Sequence, residues 1–217
     1  MTEPRVLERG PDWMVLEKPS GWHTLLGGGD PSASTSVEGW LAATHPELAS
    51  LEECGLVHRL DQGTSGCLLV ATEAASLGRL RAGMADGSIR KHYRALLPAA
   101  PPWGGRFELW FTSRYKRSSK VTVCEQGEPR HRGVCTWELL ERGADRVLVE
   151  VELVGPGRRH QIRAGFAHLG VPLLGDVLYG GVPWSLEVPA LHAFSLELPG
   201  ARIESPDPLR QRLRSPS

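Results

Sequence analysis

Apolar residues alternate with polar ones, or run together, in several short stretches that are typical of β-strands. Strands are predicted at residues 6–9, 13–17, 66–71, 92–97, 147–153 and 191–198. The first two flank a Gly-Pro-Asp sequence and are expected to be joined by a turn. The run at 66–71 is almost wholly apolar, which indicates a buried strand, whereas the alternation at 147–153 indicates a half-buried one.

Apolar residues recur at helical spacing in three stretches between these strands, which predicts helices at residues 35–48, 73–84 and 162–169. The first helix is expected to begin at the capping-box pair Thr35 and Glu38 and to end or kink just before Pro46. Many strands with a few interspersed helices predict an α+β chain built on a large, mainly antiparallel mixed sheet with flanking helices.

The division into domains is predicted from composition. A stretch rich in proline and glycine at residues 98–105 interrupts the pattern, but the composition does not change across it, so one domain is expected over residues 1–204. Residues 205–217 contain three prolines and are expected to form a poorly packed tail. The chain has 217 residues, of which 41% are hydrophobic, which suffices for one core or at most two small ones.

Charge and cysteine content narrow the classes of protein. Lysine plus arginine and aspartate plus glutamate both number 25, so any affinity for nucleic acid must come from a local basic surface. The four cysteines form no Cys-x-x-Cys pair, which predicts reduced thiols and no zinc site. The first residues lack an apolar run, and no stretch approaches the roughly 18 apolar residues of a membrane span. We expect a cytoplasmic protein that makes no membrane contact.

The most informative stretch is His-Arg-Leu-Asp-Gln-Gly-Thr-Ser-Gly at residues 58–66, in a loop just before the predicted buried strand. Catalytic groups tend to lie on loops that a rigid element supports. The residues alone leave two interpretations open. Asp61 and Ser65 either bond local backbone amides in a tight turn, or Asp61 is a reactive carboxylate.

Residues 58–66 resemble the His-Arg-Leu-Asp-x-x-Thr-Ser-Gly motif of the RluA-type pseudouridine synthases. Further stretches follow in the order of that family: Lys-Pro-Ser-Gly at 18–21, Lys-His-Tyr-Arg-Ala at 91–95, Gly-Arg-Arg-His-Gln-Ile-Arg at 157–163 and Leu-His-Ala at 191–193. The chain departs from the pattern at Pro156, and at Trp22, His23 and Thr24, which stand where a His-Pro pair is common. The resemblance implies the pseudouridine synthase fold and isomerisation of specific uridines to pseudouridine in structured RNA. That reaction neither adds nor removes atoms, so no cofactor is expected.

The resemblance also implies three catalytic residues. Asp61 is the implied catalytic carboxylate, acting either as a nucleophile or as a base. Arg158 is its implied partner, because burial alone would neutralise a carboxylate and a guanidinium binds one with two hydrogen bonds. Tyr93 is implied to stack on the flipped base. The alternatives are that Arg158 caps the following helix or contacts phosphate, and that Tyr93 is a core aromatic.

The RNA-binding residues predicted from the sequence are Arg59, Arg114, Lys116, Arg117, Lys120 and Arg130. The resemblance implies that Arg59 fills the gap left by the flipped base, although a surface arginine at a turn is the alternative. The other five belong to the densest basic run, at residues 114–120, or follow it closely. Basic residues interleaved with tyrosine and serine suit a phosphate backbone, and a solvated hairpin is the alternative.

His58, His160 and His192 fit no metal-binding motif, so no metal site is predicted, and we expect these side chains to orient loops by hydrogen bonds. The expected substrate is a uridine in a stem-loop of tRNA or rRNA, because proteins read RNA mainly at loops and single strands. We expect a monomer without an obligate protein partner. Three rival hypotheses stay open: a non-catalytic RNA-binding protein, a hydrolase with a histidine-bound metal, and a structural or partner-binding α+β domain.

Overall fold

The computed structural model describes residues 2–26, 35–98, 104–113, 115, 118–184 and 188–214. Within them the strands are β1 (Arg5–Arg9), β2 (Trp13–Lys18), β3 (Ser65–Ala71), β4 (Arg90–Pro98), β5 (Gly104–Thr112), β6 (Thr122–Cys124), β7 (Arg132–Arg142), β8 (Arg146–Val154), β9 (Leu191–Leu198) and β10 (Ala201–Glu204). The α-helices are α1 (Val37–Thr44), α2 (Ala74–Asp86), α3 (Gln161–His168) and α4 (Pro208–Leu213). Short 3-10 helices lie at Pro46–Leu48, Glu52–Gly55, Pro129–His131 and Val177–Tyr179.

The chain divides into two compact units. The first consists of Met1–Ile89 and Ala193–Pro206, and the second consists of Arg90–His192 and Asp207–Ser217. A single domain is expected over residues 1–204. This division describes each unit by itself, so the single domain stays a prediction.

In the first unit, β1, β2 and β3 pair antiparallel in that order, β9 lies beside β3, and β10 pairs antiparallel with β9. Side chains from β2, β3, β9 and α2 form one core, to which α2 contributes Leu77, Leu80 and Met84 as its helical spacing predicts. β3 is buried from Gly66 to Ala71, which confirms the predicted buried strand. This core gives rigid support to the loop that precedes β3.

Helix α1 begins one residue later than the pair Thr35 and Glu38 predicts. Its N-cap is Ser36, whose hydroxyl accepts a hydrogen bond from the Gly39 amide at 3.1 Å. The helix ends before Pro46, as predicted. The helix begins after the residue whose hydroxyl reaches an unpaired amide of the first turn, and here that residue is Ser36.

In the second unit, the strands pair antiparallel in the order β4, β8, β7, β5 and β6. The rings of Phe107 in β5, Trp137 in β7 and Phe166 in α3 form a cluster, with centroids 5.9, 6.1 and 5.3 Å apart. These contacts pack α3 against the sheet and so fix the short loop that leads into α3.

The C-terminal region differs from the expected poorly packed tail. Asp207 caps α4 by accepting hydrogen bonds from the amides of Leu209 and Arg210 at 3.0 and 3.1 Å. Leu209 and Leu213, one helical turn apart, are buried with Leu96, Leu148, Leu174 and Ala190. Pro208 is the first residue of this helix and Pro206 comes just before it, whereas Pro216 lies outside the described residues.

Candidate active site

The loop that carries Asp61 is held by the segment that follows β2, residues 18–24, which we call the clamp segment. The Lys18 ammonium donates hydrogen bonds to the carbonyls of Pro19, Trp22 and Gln62 at 3.0, 2.6 and 3.1 Å. The Gln62 carbonyl also accepts one from the Gly21 amide at 2.9 Å. The residue directly after Asp61 is therefore fixed by two donors from the clamp segment.

A second part of the clamp segment holds the residue directly before Asp61. The Thr24 hydroxyl donates to the Leu60 carbonyl at 2.7 Å and accepts from the Leu60 amide at 3.0 Å. Thr24 and Leu60 are both buried. Further along the loop, the Ser20 hydroxyl donates to the Gly63 carbonyl at 2.9 Å.

The loop itself is a turn, so part of the simpler interpretation of the motif is correct. The Thr64 amide donates to the Asp61 carbonyl at 3.0 Å, which closes a four-residue turn. The Asp61 residue is half-buried. Beyond the turn, Gly66 has a φ of 112°, and a Cβ there would lie 2.1 Å from the Ala193 carbonyl oxygen, so no other residue fits without a backbone shift.

The Lys18 ammonium lies within the electrostatic influence of Asp61. Burial lowers the pKa of Lys18 to about 7, and the negative charge of Asp61 opposes that shift. The Lys18 residue is 0% exposed. It lies in the Lys-Pro-Ser-Gly motif, but sequence reasoning gave it no role in the site, since nothing in that motif indicates a buried side chain.

The histidine of the loop orients it, as predicted. His58 Nε2 accepts a hydrogen bond from the Leu69 amide of β3 at 3.1 Å. The neighbouring Arg59 is exposed. That position is compatible with both the predicted contact with RNA and a surface arginine at a turn, so the role of Arg59 stays a prediction.

In the second unit, Arg158 lies in the loop just before α3. Its amide donates to the Gln161 side-chain oxygen at 2.9 Å, and its guanidinium Nε donates to the Arg132 carbonyl at 2.8 Å. The Lys91 ammonium donates to the Gly155 carbonyl of the same loop at 2.8 Å. Burial lowers the pKa of Lys91 to about 8; the nearby Cys135 thiol opposes the shift and the charge of Arg158 adds to it.

Tyr93 lies in β4, opposite Val151 of β8, and is 7% exposed. Its burial agrees with the core-aromatic alternative and leaves its predicted contact with the base untested. Asp61 belongs to the first unit, whereas Tyr93 and Arg158 belong to the second. The predicted Asp61–Arg158 pair therefore stays a prediction.

Of the predicted RNA-binding residues, Arg114, Lys116 and Arg117 lie outside the described residues. Lys120 is exposed, with its ammonium 6.0 Å from the ring centroid of Tyr179. Arg130 is exposed and forms an ion pair with Glu128 at 2.9 Å. Their roles in RNA binding are not decided by these contacts.

Arg159, which sequence reasoning left without a role, holds the end of the basic run. Its guanidinium donates to the carbonyls of Ser118 and Lys120 at 2.5 and 3.1 Å. The signal for it was its place within the Gly-Arg-Arg-His motif. Ser118 and Lys120 are thus anchored to the loop that carries Arg158.

The rest of this motif is structural. His160 Nδ1 lies 2.9 Å from the Tyr179 hydroxyl, whose oxygen also accepts from the Val121 amide at 3.0 Å. His160 therefore orients a loop by a hydrogen bond, as predicted. Arg163 and Asp176 form a buried two-bond ion pair at 2.7 and 2.8 Å.

These loops and their motifs define a class of protein. Residues 12–168 match the family model described as RNA pseudouridylate synthase, and the chain belongs to this family. The resemblance to RluA-type pseudouridine synthases that the motifs predict is thereby confirmed.

Three relatives are each named ribosomal large subunit pseudouridine synthase D. The protein of Yersinia pestis is 30% identical to this chain, with 79% of this chain and 51% of that protein covered. The protein of Haemophilus ducreyi is 28% identical, with 82% and 53% covered, and that of Pseudomonas aeruginosa is 30% identical, with 90% and 65% covered. The chain thus spans about half the length of the first two relatives.

Solved structures confirm the predicted fold class. Human RNA pseudouridylate synthase domain containing 1 matches with a TM-score of 0.75 at 23% identity, covering 97% of this chain and 86% of that one. Human RNA pseudouridylate synthase domain containing 4 matches with a TM-score of 0.73 at 19% identity, covering 96% and 90%. No helix in the described part of the chain is long and apolar enough to cross a membrane. The cytoplasmic location stays a prediction.

Proposed function

We propose that the chain isomerises uridine to pseudouridine in structured RNA, with Asp61 as the catalytic carboxylate. The observation that carries this proposal is the fixed loop around Asp61 in a member of the RNA pseudouridylate synthase family. A half-buried carboxylate whose neighbours before and after it are both held by buried side chains suits a group that must meet one atom of a substrate.

The proposed chemistry requires Asp61 to be ionised. Partial burial favours the neutral acid, and a nearby cation favours the carboxylate. Lys18, whose pKa is lowered to about 7, supplies positive charge from within the same unit while it is protonated. Arg158 is proposed as the partner of the carboxylate, since its guanidinium cannot lose its proton at any physiological pH. The nucleophile and base routes for Asp61 both remain compatible with this arrangement.

The proposed substrate is a uridine in a stem-loop of ribosomal RNA, with tRNA as the alternative. The names of the three relatives favour rRNA. In this proposal Arg59 occupies the gap left by the flipped base, and Tyr93 stacks on that base, which contributes about 1–3 kcal/mol. Phosphates contact Lys120, Arg130 and the basic residues of the 114–120 run. The protein is proposed to act as a cytoplasmic monomer.

The test is tritium release from RNA labelled at C5 of uracil, with total rRNA and total tRNA as separate substrates. Wild-type protein is expected to release tritium from rRNA. Asp61→Asn keeps the size of the side chain and removes the charge, so release is expected to fall to background while binding to RNA persists. Release by Asp61→Asn at the wild-type rate would refute the role of Asp61. Binding without release by the wild-type protein on either RNA would favour the non-catalytic hypothesis.

A further inference from the structure

The clamp segment touches the loop of Asp61 through a buried hydroxyl. The Thr24 side chain bonds the backbone of Leu60 directly. Thr24 is 5% exposed. A buried hydroxyl that both donates to and accepts from a single residue fixes that residue against rotation.

We propose that Thr24 is a positioning residue, whose hydroxyl sets the direction in which the Asp61 side chain leaves the loop. This inference rests on the proposed function, because it concerns how the proposed catalytic carboxylate is aimed. Thr24 itself is given no contact with the substrate.

The geometry follows from the planarity of the peptide group. The Leu60 carbonyl and the Asp61 nitrogen belong to one rigid plane, so a hydrogen bond that orients the carbonyl also orients the first atom of Asp61. The bond from the Leu60 amide to Thr24 fixes the preceding plane as well. On the other side of Asp61, its own carbonyl accepts from the Thr64 amide. The planes before and after the Asp61 Cα are therefore both held.

Thr24 can hold Leu60 because its own backbone is held. The Glu38 amide, in the first turn of α1, donates to the Thr24 carbonyl at 3.0 Å. The amide of the neighbouring His23 donates to the Thr35 carbonyl at 3.0 Å, and the His23 carbonyl accepts from the Val37 amide at 2.9 Å. A chain of hydrogen bonds thus runs from the start of α1 through Thr24 to the peptide groups next to Asp61.

The experiment compares Thr24→Val, which keeps the shape and removes the hydroxyl, with Thr24→Ser, which keeps the hydroxyl. Ser76→Ala is the matched control, because Ser76 is also buried and its hydroxyl donates to the Asp12 and Glu73 carbonyls at 2.9 Å, at the start of α2. For each variant we would measure kcat and KM for tritium release, the melting temperature, and hydrogen exchange of the peptide that covers residues 58–63.

Thr24→Val is expected to lower kcat on the order of 10²-fold at an unchanged KM, because a small misplacement of a reacting group has an effect of that size. Exchange of the 58–63 peptide is expected to accelerate in the same variant. Thr24→Ser is expected to restore both readouts towards wild type. Ser76→Ala is expected to have a lower melting temperature than wild type and an unchanged kcat.

Two results would overturn the positioning role while the wild-type enzyme is active: a wild-type kcat in Thr24→Val, or a Thr24→Ser variant as impaired as Thr24→Val. A kcat that falls equally in Ser76→Ala would also overturn it, because the loss would then follow stability alone. Failure of the proposed function is recognised separately, since it appears in the wild-type protein as an absence of release from both RNAs, and it would refute a role for Thr24 in this reaction.

Discussion

Two buried lysines, one in each unit, hold the loops that carry the two proposed charged residues of the site. Lys18, at the end of β2, donates to the carbonyl of Gln62, directly after Asp61. Lys91, near the start of β4, donates to the carbonyl of Gly155, three residues before Arg158. Each lysine comes from a motif that resembles one of the family, and each bonds a backbone carbonyl of its loop.

The difference between the two lies in their surroundings. The Lys18 ammonium bonds three carbonyls, and the negative charge of Asp61 opposes the lowering of its pKa. At Lys91, by contrast, the positive charge of Arg158 adds to the lowering of the pKa. Even so, the pKa of Lys18 falls to about 7 and that of Lys91 only to about 8. Burial is therefore the largest cause at both sites: it outweighs the opposing charge of Asp61 at Lys18, and the charge of Arg158 acts with it at Lys91. Each buried lysine contributes hydrogen bonds to a loop.

The largest effect is expected when the two lysines are replaced in parallel by methionine, which matches the unbranched chain and removes the donor. Lys18→Met is expected to lower kcat for tritium release on the order of 10²-fold, because the carbonyl of Gln62, the residue after Asp61, loses its ammonium donor. Lys91→Met is expected to lower kcat about 10-fold, because Arg158 keeps its hydrogen bonds to Gln161 and Arg132.

Circular dichroism and the melting temperature of both variants would show that each is folded before the rates are compared. An equal loss of kcat in the two variants, or a larger loss in Lys91→Met, would contradict this comparison. Such a result would show that anchoring the Arg158 loop contributes at least as much to kcat as anchoring the Asp61 loop.

Much of the fold was predictable from sequence, and the omissions have physical causes. β3, β8 and α2 follow simple periodicities and lie where these predict. β7 was missed, and its alternation is interrupted by a bulge between Leu139 and Glu141, which moves later side chains to the other face. β5 was missed although Phe107, Leu109 and Phe111 alternate within it, because two glycines and a proline-rich stretch precede them.

The site was predictable as a set of motifs but not as a set of contacts. The loop of Asp61 was located from its nine-residue motif. Thr24 and Leu60 are separated by 36 residues, and no local pattern pairs them. Lys18 was passed over because lysine is among the residues least often buried, and only the folded chain shows that its ammonium has three carbonyl partners.

The pH dependence of stability sharpens the comparison of the lysines. Above a pH of about 7, native Lys18 loses its proton, while a lysine of the unfolded chain keeps its proton up to the ordinary lysine pKa of 10.5. The unfolded state then binds more protons, so stability rises with pH, by up to about 1.4 kcal/mol per pH unit for one group. Urea unfolding at pH 7, 8 and 9 would give the free energy of unfolding of the wild type and of both variants. The stability of the wild type relative to Lys18→Met should rise from pH 7, and its stability relative to Lys91→Met should rise only from about pH 8. A constant difference across this range would show that neither lysine titrates there.

The smallest expected effect concerns Arg159, which extends the loop of Arg158 towards the basic run. Arg159→Lys keeps the charge but loses the guanidinium Nη2 that bonds the carbonyls of both Ser118 and Lys120, and Arg159→Gln loses the charge as well. If Arg159 acts by holding the run in place, both variants should raise KM for RNA about 3-fold at an unchanged kcat, a change of less than about 1 kcal/mol.

Arg202→Ala is the matched control, because Arg202 is an exposed arginine of β10 that pairs with Glu197 and Glu204. A wild-type KM in Arg159→Lys together with a raised KM in Arg159→Gln would instead assign Arg159 a direct charge contact with RNA. The Arg158 loop would then face RNA itself, whereas the clamp segment in the first unit serves only to hold Asp61.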